Sequence, residues 1–119
     1  MQRTVLKSKL HRARVTSALI NYEGSIEIDE SLMDTVGILT YEQVHVFNIN
    51  NGNRFVTYAI PGKRGDRVIS INGAAARLTQ VNDPIIIVAY GIINIDQEKI
   101  IPKVLILDEK NQIIEKKGM

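Results

Sequence analysis

The dipeptide Gly24-Ser25 is the stretch of the sequence with the most distinctive chemistry open to it. A serine hydroxyl can attack the carbonyl carbon of the preceding residue, and a preceding glycine neither blocks the attack nor restricts the backbone angles that it needs. The attack turns the amide into an ester, and β-elimination followed by hydrolysis of the dehydroalanine leaves a pyruvoyl group on the downstream chain. Gly-Ser is also a common turn dipeptide, so a plain loop is the alternative that the pair alone leaves open.

Several short motifs around this dipeptide occur together. They are Leu10-His11-Arg12, Tyr22-Glu23-Gly24-Ser25, Asn51-Gly52, Arg54, Thr57-Tyr58-Ala59-Ile60, Arg64-Gly65 and Asn72-Gly73-Ala74-Ala75-Ala76. In order and spacing they resemble bacterial aspartate 1-decarboxylases, from about Arg3 to Tyr90. The chain departs from that pattern at Phe47, where many relatives have tryptophan, and at Asn82-Asp83, where Gly-Asp is usual. Both departures concern packing and turn shape, so the functional groups of the pattern are retained.

The resemblance implies an enzyme that converts L-aspartate to β-alanine and carbon dioxide, supplying β-alanine for pantothenate and coenzyme A biosynthesis. It implies self-cleavage between Gly24 and Ser25 into a β chain, residues 1–24, and an α chain, residues 25–119. A pyruvoyl group made from Ser25 would bind the substrate amine as a Schiff base and accept the electrons that carbon dioxide leaves behind. The sequence has no motif for a metal or for pyridoxal phosphate, so neither is expected.

The resemblance also assigns roles to individual residues. Ser25 and Tyr58 are the predicted catalytic residues, with Tyr58 as the proton donor to the carbon that loses carbon dioxide. The predicted substrate-binding residues are Lys9, Arg54, Thr57, Gly73, Ala74 and Ala75. Self-processing is assigned to Gly24, Ser25, Thr57 and Asn72. The role of His11 and the need for an accessory maturation protein stay open.

The charge of each substrate carboxylate in the transition state distinguishes the predicted roles of the two cationic residues, Lys9 and Arg54. The α-carboxylate leaves as neutral carbon dioxide, so a strong ion pair to it would stabilise the substrate more than the transition state. The β-carboxylate keeps its charge, and a guanidinium can hold it with two parallel hydrogen bonds. We therefore expect Arg54 to bind the β-carboxylate and Lys9 to attract the dianion or to contact the α-carboxylate loosely.

Length and composition predict a single domain, because 119 residues of which 45% are hydrophobic can build one modest core. Seven or so short strands with one or two brief helices favour an all-β fold, as a small closed barrel. The resemblance implies the double-psi type of barrel and a homotetramer with active sites between subunits. The chain lacks cysteine and any apolar run typical of a signal peptide or membrane span, so a cytoplasmic location without membrane contact is expected.

Local patterns predict the elements that position these residues. The predicted strands are Arg3–Leu10, Gln43–Ile49, Arg54–Ile60, Arg67–Ile71, Ile85–Tyr90 and Lys103–Leu107, followed by a weak C-terminal strand. Asp29 is expected to cap a helix that runs through Val36 and ends at Gly37. On a regular strand Thr57 and Tyr58 point to opposite faces, so if both serve one site, either the strand bulges or the two groups serve sites of different subunits.

A second function was weighed, a non-catalytic barrel that binds nucleic acid or a protein through its basic N-terminal strand. That strand and the residues after it carry Lys7, Lys9, Arg12 and Arg14. The net charge is only +2, and aromatic residues make up 5% of the chain, too few for a base-stacking platform without clustering. We therefore expect no nucleic-acid partner.

Overall fold

The structure is a computed structural model that describes residues 1 to 119. Its elements are β1 (Gln2–Arg14), β2 (Ser17–Leu19), β3 (Ile26–Asp29), α1 (Glu30–Val36), β4 (Gln43–Asn48), β5 (Arg54–Gly62), β6 (Ile69–Asn72), a 3-10 helix (Gly73–Leu78), β7 (Pro84–Asn94), β8 (Lys103–Leu107) and β9 (Ile113–Lys117). The predicted all-β class, with two short helical segments, is confirmed. None of the helices has the length and apolar character that crossing a membrane would require.

The strands form one sheet in the order β2-β6-β3-β5-β4-β7-β1-β8-β9. Only Val15 and Thr16 separate β1 from β2, so one run of chain pairs with β7 at its start and with β6 at its end. This shared run connects the β7 side of the sheet to the β6 side, which is consistent with a barrel, while β8 and β9 extend the sheet outward from β1. The pairs β2·β6 and β3·β5 are parallel and β3·β6 is antiparallel, so strands from the two halves of the chain interleave. That interleaving agrees with the double-psi barrel that the resemblance implies.

Aliphatic side chains fill the barrel interior. Alternate residues of β3 and β6, Ile26 with Ile28 and Ile69 with Ile71, are fully buried, as the two-residue period of a strand requires. The predicted buried strand near Ile85 is longer than expected and runs as β7 from Pro84 to Asn94. Its antiparallel pairing with β1 continues to Asn94, which explains the extension beyond the apolar run.

Helix α1 follows the predicted pattern closely. Asp29 caps it by accepting a hydrogen bond from the backbone N–H of Ser31 at 2.8 Å, and Gly37 ends it with φ +80°. The buried Asp29 carboxylate also accepts from the backbone N–H groups of Gly65 at 3.0 Å and Arg67 at 2.6 Å. Burial alone would raise the pKa of Asp29, but these hydrogen bonds, with that from the Ser31 hydroxyl, hold it below its ordinary value. The carboxylate therefore joins the C-terminal end of β3 to the loop before β6.

β1 runs from Gln2 to Arg14, beyond the predicted Arg3–Leu10, and three further differences from the sequence expectation arise from contacts between distant segments. The predicted strand at Arg67 begins instead at Ile69, since Arg67 has φ +59° and donates its N–H to Asp29. β5 continues through Pro61 and Gly62, which were expected in a loop, because they pair with the end of parallel β3. The short strand β2 was not predicted, and it exists through its pairing with β6.

Candidate active site

The Gly24-Ser25 bond lies directly before β3, with Gly24 exposed and Ser25 buried. Ser25 is only 2% exposed and has φ +97°, a backbone angle that residues other than glycine rarely adopt. Asn72 holds it from the end of β6: the Asn72 backbone N–H donates to the Ser25 carbonyl at 3.0 Å, and Nδ2 donates to the Ser25 Oγ at 3.5 Å. The nucleophile predicted from the sequence is therefore strained, excluded from solvent and held by a predicted self-processing residue.

Gly73 packs against the other side of the same bond. A Cβ at Gly73 would lie 2.9 Å from the Gly24 Cα and 3.2 Å from the Tyr22 carbonyl oxygen. Gly73 also has φ +71°, so both space and backbone angle favour glycine here. The sequence assigned Gly73 to substrate binding, and the structure adds a close approach to Gly24. Ala74 and Ala75 follow in the 3-10 helix, exposed and partly exposed respectively.

β5 brings the predicted threonine and tyrosine to the same end of the sheet as Ser25. β3 and β5 are parallel with Ile26 opposite Ala59, so the residues before Ile26 and those before Ala59 lie at one end. Thr57 belongs to the inward-facing, less exposed row of β5, whereas Tyr58 belongs to the outward row and is 41% exposed. Pairing of β4 with β5 shows no bulge between Arg54 and Tyr58, so the two side chains do point to opposite faces. No hydrogen bond joins Thr57 to Ser25.

Lys9 and Arg54, the two cationic residues predicted to bind the substrate, lie on the outward face of the sheet β1-β7-β4-β5. Its paired residues form two rows, Lys9-Val88-His45-Val56 and His11-Ile86-Phe47-Arg54. Neighbouring strands are about 4.8 Å apart, so Lys9 is roughly 14 Å from Val56 along its row. Within one chain, Lys9 is therefore well separated from Val56 on β5.

Neither predicted cation is neutralised by an acidic neighbour. The Arg54 guanidinium carbon lies 4.2 Å above the centre of the Phe47 ring and forms no ion pair, and Lys9 forms none either. Lys7, by contrast, binds Glu42 at 2.9 Å, and Arg64 pairs with Glu30 at 3.0 Å. Lys9 and Arg54 thus keep their charges available for an anionic ligand.

His11, which the sequence left unassigned, occupies the same outward face. Its Nδ1 is buried without a hydrogen-bond partner. Burial lowers the pKa of His11, and the nearby charges of Lys9, Arg12 and Lys117 lower it further. The neutral imidazole is therefore favoured at neutral pH.

The outward face also carries exposed apolar and aromatic groups. Val56 is 54% exposed, and Tyr90 packs its ring edge-on against His45 at 5.1 Å. A cavity of about 220 Å³ opens beside them, lined by Thr4, Gln43, His45, Tyr90 and Ile92. Gln43 is the strand partner of Tyr58, so this cavity adjoins the predicted proton donor. The structure contains no group of three His, Asp or Glu side chains placed to hold a metal ion.

Two serines near the scissile bond were missed by the sequence reasoning. Ser70 donates to the Asn72 Oδ1 at 3.1 Å, and Ser17 donates to the Ser70 Oγ at 2.6 Å. The only sequence signal was the alternation of apolar and polar residues in Ile69–Asn72, which did not indicate that both faces of this strand are buried.

Comparison of the amino-acid sequence with known proteins identifies the family of this chain. The model of the family described as aspartate decarboxylase matches residues 1–114. An aspartate 1-decarboxylase of Bacillus cytotoxicus is 55% identical over 116 residues, which cover 97% of this chain and 91% of that protein. Those of Bacillus licheniformis and Caldicellulosiruptor saccharolyticus are 52% and 55% identical, covering 99% and 92% of this chain and 94% and 87% of theirs. A designed protein of known crystal structure, msDPBB_sym2, superposes with a TM-score of 0.48 at 16% identity, over 71% of this chain and 96% of its own. The match over nearly the whole chain shows that the chain belongs to the aspartate decarboxylase family.

Proposed function

We propose that this chain generates its own pyruvoyl group at Ser25 and uses it to convert L-aspartate to β-alanine and carbon dioxide. The decarboxylation follows from the family, and β-alanine production serves pantothenate biosynthesis. The observation that supports self-processing is the buried Ser25, with φ +97° and with both its carbonyl and its hydroxyl held by Asn72. The alternative of a nucleic-acid or protein-binding barrel is not favoured, because the relatives that match the whole chain are decarboxylases.

Self-processing begins when the Ser25 Oγ attacks the Gly24 carbonyl carbon, and the amide nitrogen leaves as an amine to give an ester. Loss of the Ser25 Cα proton breaks the Cβ–Oγ bond and releases the Gly24 carboxylate. The resulting dehydroalanine takes up water and releases ammonia, which leaves the ketone. Backbone strain at Ser25 supplies roughly 1–3 kcal/mol, at most about a hundredfold in rate. A donor aimed at the oxyanion on Gly24 supplies roughly 3–4 kcal/mol, and we assign that task to Thr57 with Asn72.

Turnover uses a second set of residues. The pyruvoyl carbonyl supplies the electron sink that no ordinary side chain offers. Tyr58 donates a proton to the carbon that has lost carbon dioxide. Arg54 binds the β-carboxylate, Lys9 attracts the anionic substrate, and the backbone N–H groups of Gly73, Ala74 and Ala75 complete the carboxylate-binding site. Burial of Ser25 within the barrel wall fits this group, because it keeps water from the reacting carbon.

We also propose that the working site lies between two copies of the chain, in a homotetramer. Lys9, Arg54 and Tyr58 share one outward face, while Ser25 is buried beside β6. The regular pairing of β5 removes the bulge that could have turned Thr57 and Tyr58 toward one site. The remaining arrangement has Thr57 acting on the bond of its own chain and Tyr58 facing the pyruvoyl group of a neighbour. Exposed Val56 and Tyr90 on the outward face give that neighbour apolar area to cover.

Intact mass measurement of the purified protein, paired with a β-alanine assay, tests this function. We expect fragments of residues 1–24 and 25–119, the larger with a blocked N-terminus, and product release from aspartate. Ser25→Ala should remain one intact chain without activity. Cleavage of Ser25→Ala at the same bond would remove Ser25 as the nucleophile. Native mass measurement of the cleaved protein tests the tetramer separately.

A further inference from the structure

A row of buried hydroxyl and amide groups leads from β2 to the scissile bond. The Ser17 Oγ donates to the Ser70 Oγ at 2.6 Å, the Ser70 Oγ donates to the Asn72 Oδ1 at 3.1 Å, and the Asn72 Nδ2 donates to the Ser25 Oγ at 3.5 Å. Ser70 is 4% exposed, and Asn72 and Ser25 are less exposed still. Strand pairing fixes the row, because Ser17 is directly opposite Ser70 and Ser70 shares one face of β6 with Asn72.

The hydrogen bonds of the row run in one direction. Ser70 donates its one proton to the Asn72 Oδ1, an oxygen that can only accept. Ser70 then accepts the proton of Ser17. With its oxygen on Ser70, the Asn72 side chain has to present its NH₂ group to Ser25.

Without the Ser70 hydroxyl, the orientation of the Asn72 side-chain amide would no longer be fixed. The Asn72 side chain could then turn over and place Oδ1 against the Ser25 Oγ, which would make Ser25 the donor instead of the acceptor. The two orientations differ in catalysis, because negative charge grows on the Gly24 carbonyl oxygen during attack, and on the Ser25 Oγ later, when the Cβ–Oγ bond breaks and this oxygen leaves in the Gly24 carboxylate. An NH₂ group stabilises that charge, whereas a carbonyl oxygen opposes it. The present 3.5 Å contact is long, so it can tighten as charge develops and favour the transition state over the ground state.

The cost of burying these groups supports a role beyond packing. Ile69 and Ile71 of the same strand are fully buried in the core, yet the opposite face of β6 buries Ser70 and Asn72. Apolar side chains there would avoid the cost of removing polar groups from water. A fully hydrogen-bonded row in this place instead specifies one side-chain arrangement.

We propose that Ser70, supported by Ser17, is a positioning residue for self-cleavage: it fixes the Asn72 side chain with its NH₂ group toward the Ser25 hydroxyl. The inference rests on the proposed self-processing at Gly24-Ser25. Ser70 does not touch the scissile bond and acts through Asn72 alone.

The test is the rate of cleavage of freshly made precursor, followed by intact mass. Ser70→Ala should slow cleavage about tenfold, the effect expected from losing one hydrogen bond that orients a catalytic group. Ser70→Thr restores the hydroxyl and should cleave at close to the wild-type rate. Ser17→Ala should slow cleavage by a smaller factor, because Ser70 keeps its own proton for Asn72.

Thr16→Val is the matched control. The Thr16 Oγ1 donates to the Ile69 carbonyl at 3.0 Å and accepts from the Ile69 N–H at 3.0 Å, so it joins the same two regions of chain without touching Asn72. This variant should lower the melting temperature while changing the cleavage rate less than about twofold. Equal slowing by Thr16→Val and Ser70→Ala would overturn the inference, as would a wild-type rate in folded Ser70→Ala. If Ser70→Ala does not fold, folded Ser17→Ala decides, and a wild-type rate there overturns the inference too. Failure of wild type itself to cleave would instead overturn the proposed function.

Discussion

The scissile region and the outward sheet face place their chemistry in opposite surroundings. Next to the exposed Gly24, Ser25 and Asn72 are buried, the backbone of Ser25 is strained, and Asn72 binds both the carbonyl and the hydroxyl of the serine. On the outward face Arg54 and Tyr58 are exposed, and neither Arg54 nor Lys9 has an acidic partner. Within one chain, Ser25 is thus already held by a predicted self-processing residue, whereas the groups on the outward face contact no part of the Gly24-Ser25 bond.

This difference matches the two reactions that the chain is proposed to perform. Self-cleavage happens once, on a bond that the chain itself supplies, so its groups can be fixed by folding. Turnover requires a small anionic substrate to enter and its products to leave, so Lys9 and Arg54 have to remain free and accessible. Variants in the two regions should therefore separate maturation from turnover.

The largest expected effect is on turnover, from Tyr58→Phe. This variant should still yield the cleaved chain, but release β-alanine roughly 10²–10⁴ times more slowly, because the hydroxyl that protonates the carbon is missing. Tyr41 is the matched control, since its ring is 6.3 Å from the Tyr58 ring and it is more exposed. Tyr41→Phe should keep turnover close to wild type. Normal kcat in cleaved Tyr58→Phe would remove Tyr58 from the mechanism.

Thr57→Val should give the opposite pattern. Loss of an oxyanion donor should slow cleavage by roughly 10²–10³, so the precursor accumulates. Valine keeps the shape of threonine on the inward row of β5, and folding should be retained. The ratio of intact to cleaved chain over time measures the effect. If Thr57→Val cleaves as fast as wild type while Tyr58→Phe does not, the assignment of the two faces of β5 is reversed.

A smaller effect on maturation is expected from Gly73→Ala. The added Cβ would meet the Gly24 Cα at 2.9 Å and displace the bond from Asn72, so we expect cleavage about tenfold slower. Gly52 is a suitable control, because it also has positive φ, +75°, but a Cβ there has no neighbour within 4 Å. Gly52→Ala should therefore show the cost of the backbone angle without the contact. Equal cleavage rates in the two alanine variants would mean that the approach of Gly73 to Gly24 has no role in processing.

Much of the fold was accessible from the sequence, because local signals and tertiary structure agree there. Asp29 and Gly37 bound α1 as their types predict, and the Asn51-Gly52 turn joins β4 to β5. The elements that the sequence did not predict depend on pairing between distant segments. Examples are β2, which pairs with β6, and the extension of β5 through Pro61, which pairs with β3. The same holds for the site. Ser25 and Asn72 were predicted as site residues and are in contact. No sequence pattern indicated Ser70, because its contact with Asn72 depends on how β6 is placed in the fold.

Arg54→Lys should have an effect of similar size to that of Gly73→Ala, but on substrate discrimination. Lysine keeps the positive charge but loses the planar pair of N–H groups that fits a carboxylate, and it also loses stacking on Phe47. The β-carboxylate keeps its charge throughout the reaction, so this contact contributes to binding and specificity more than to the chemical step. We expect kcat/KM for L-aspartate relative to L-alanine to fall about tenfold in cleaved Arg54→Lys, mostly through KM. Arg64→Lys, at an arginine already paired with Glu30, should leave the ratio unchanged. An unchanged ratio in Arg54→Lys would transfer recognition of the β-carboxylate to Lys9, and the outward face would then bind its substrate in the reverse orientation.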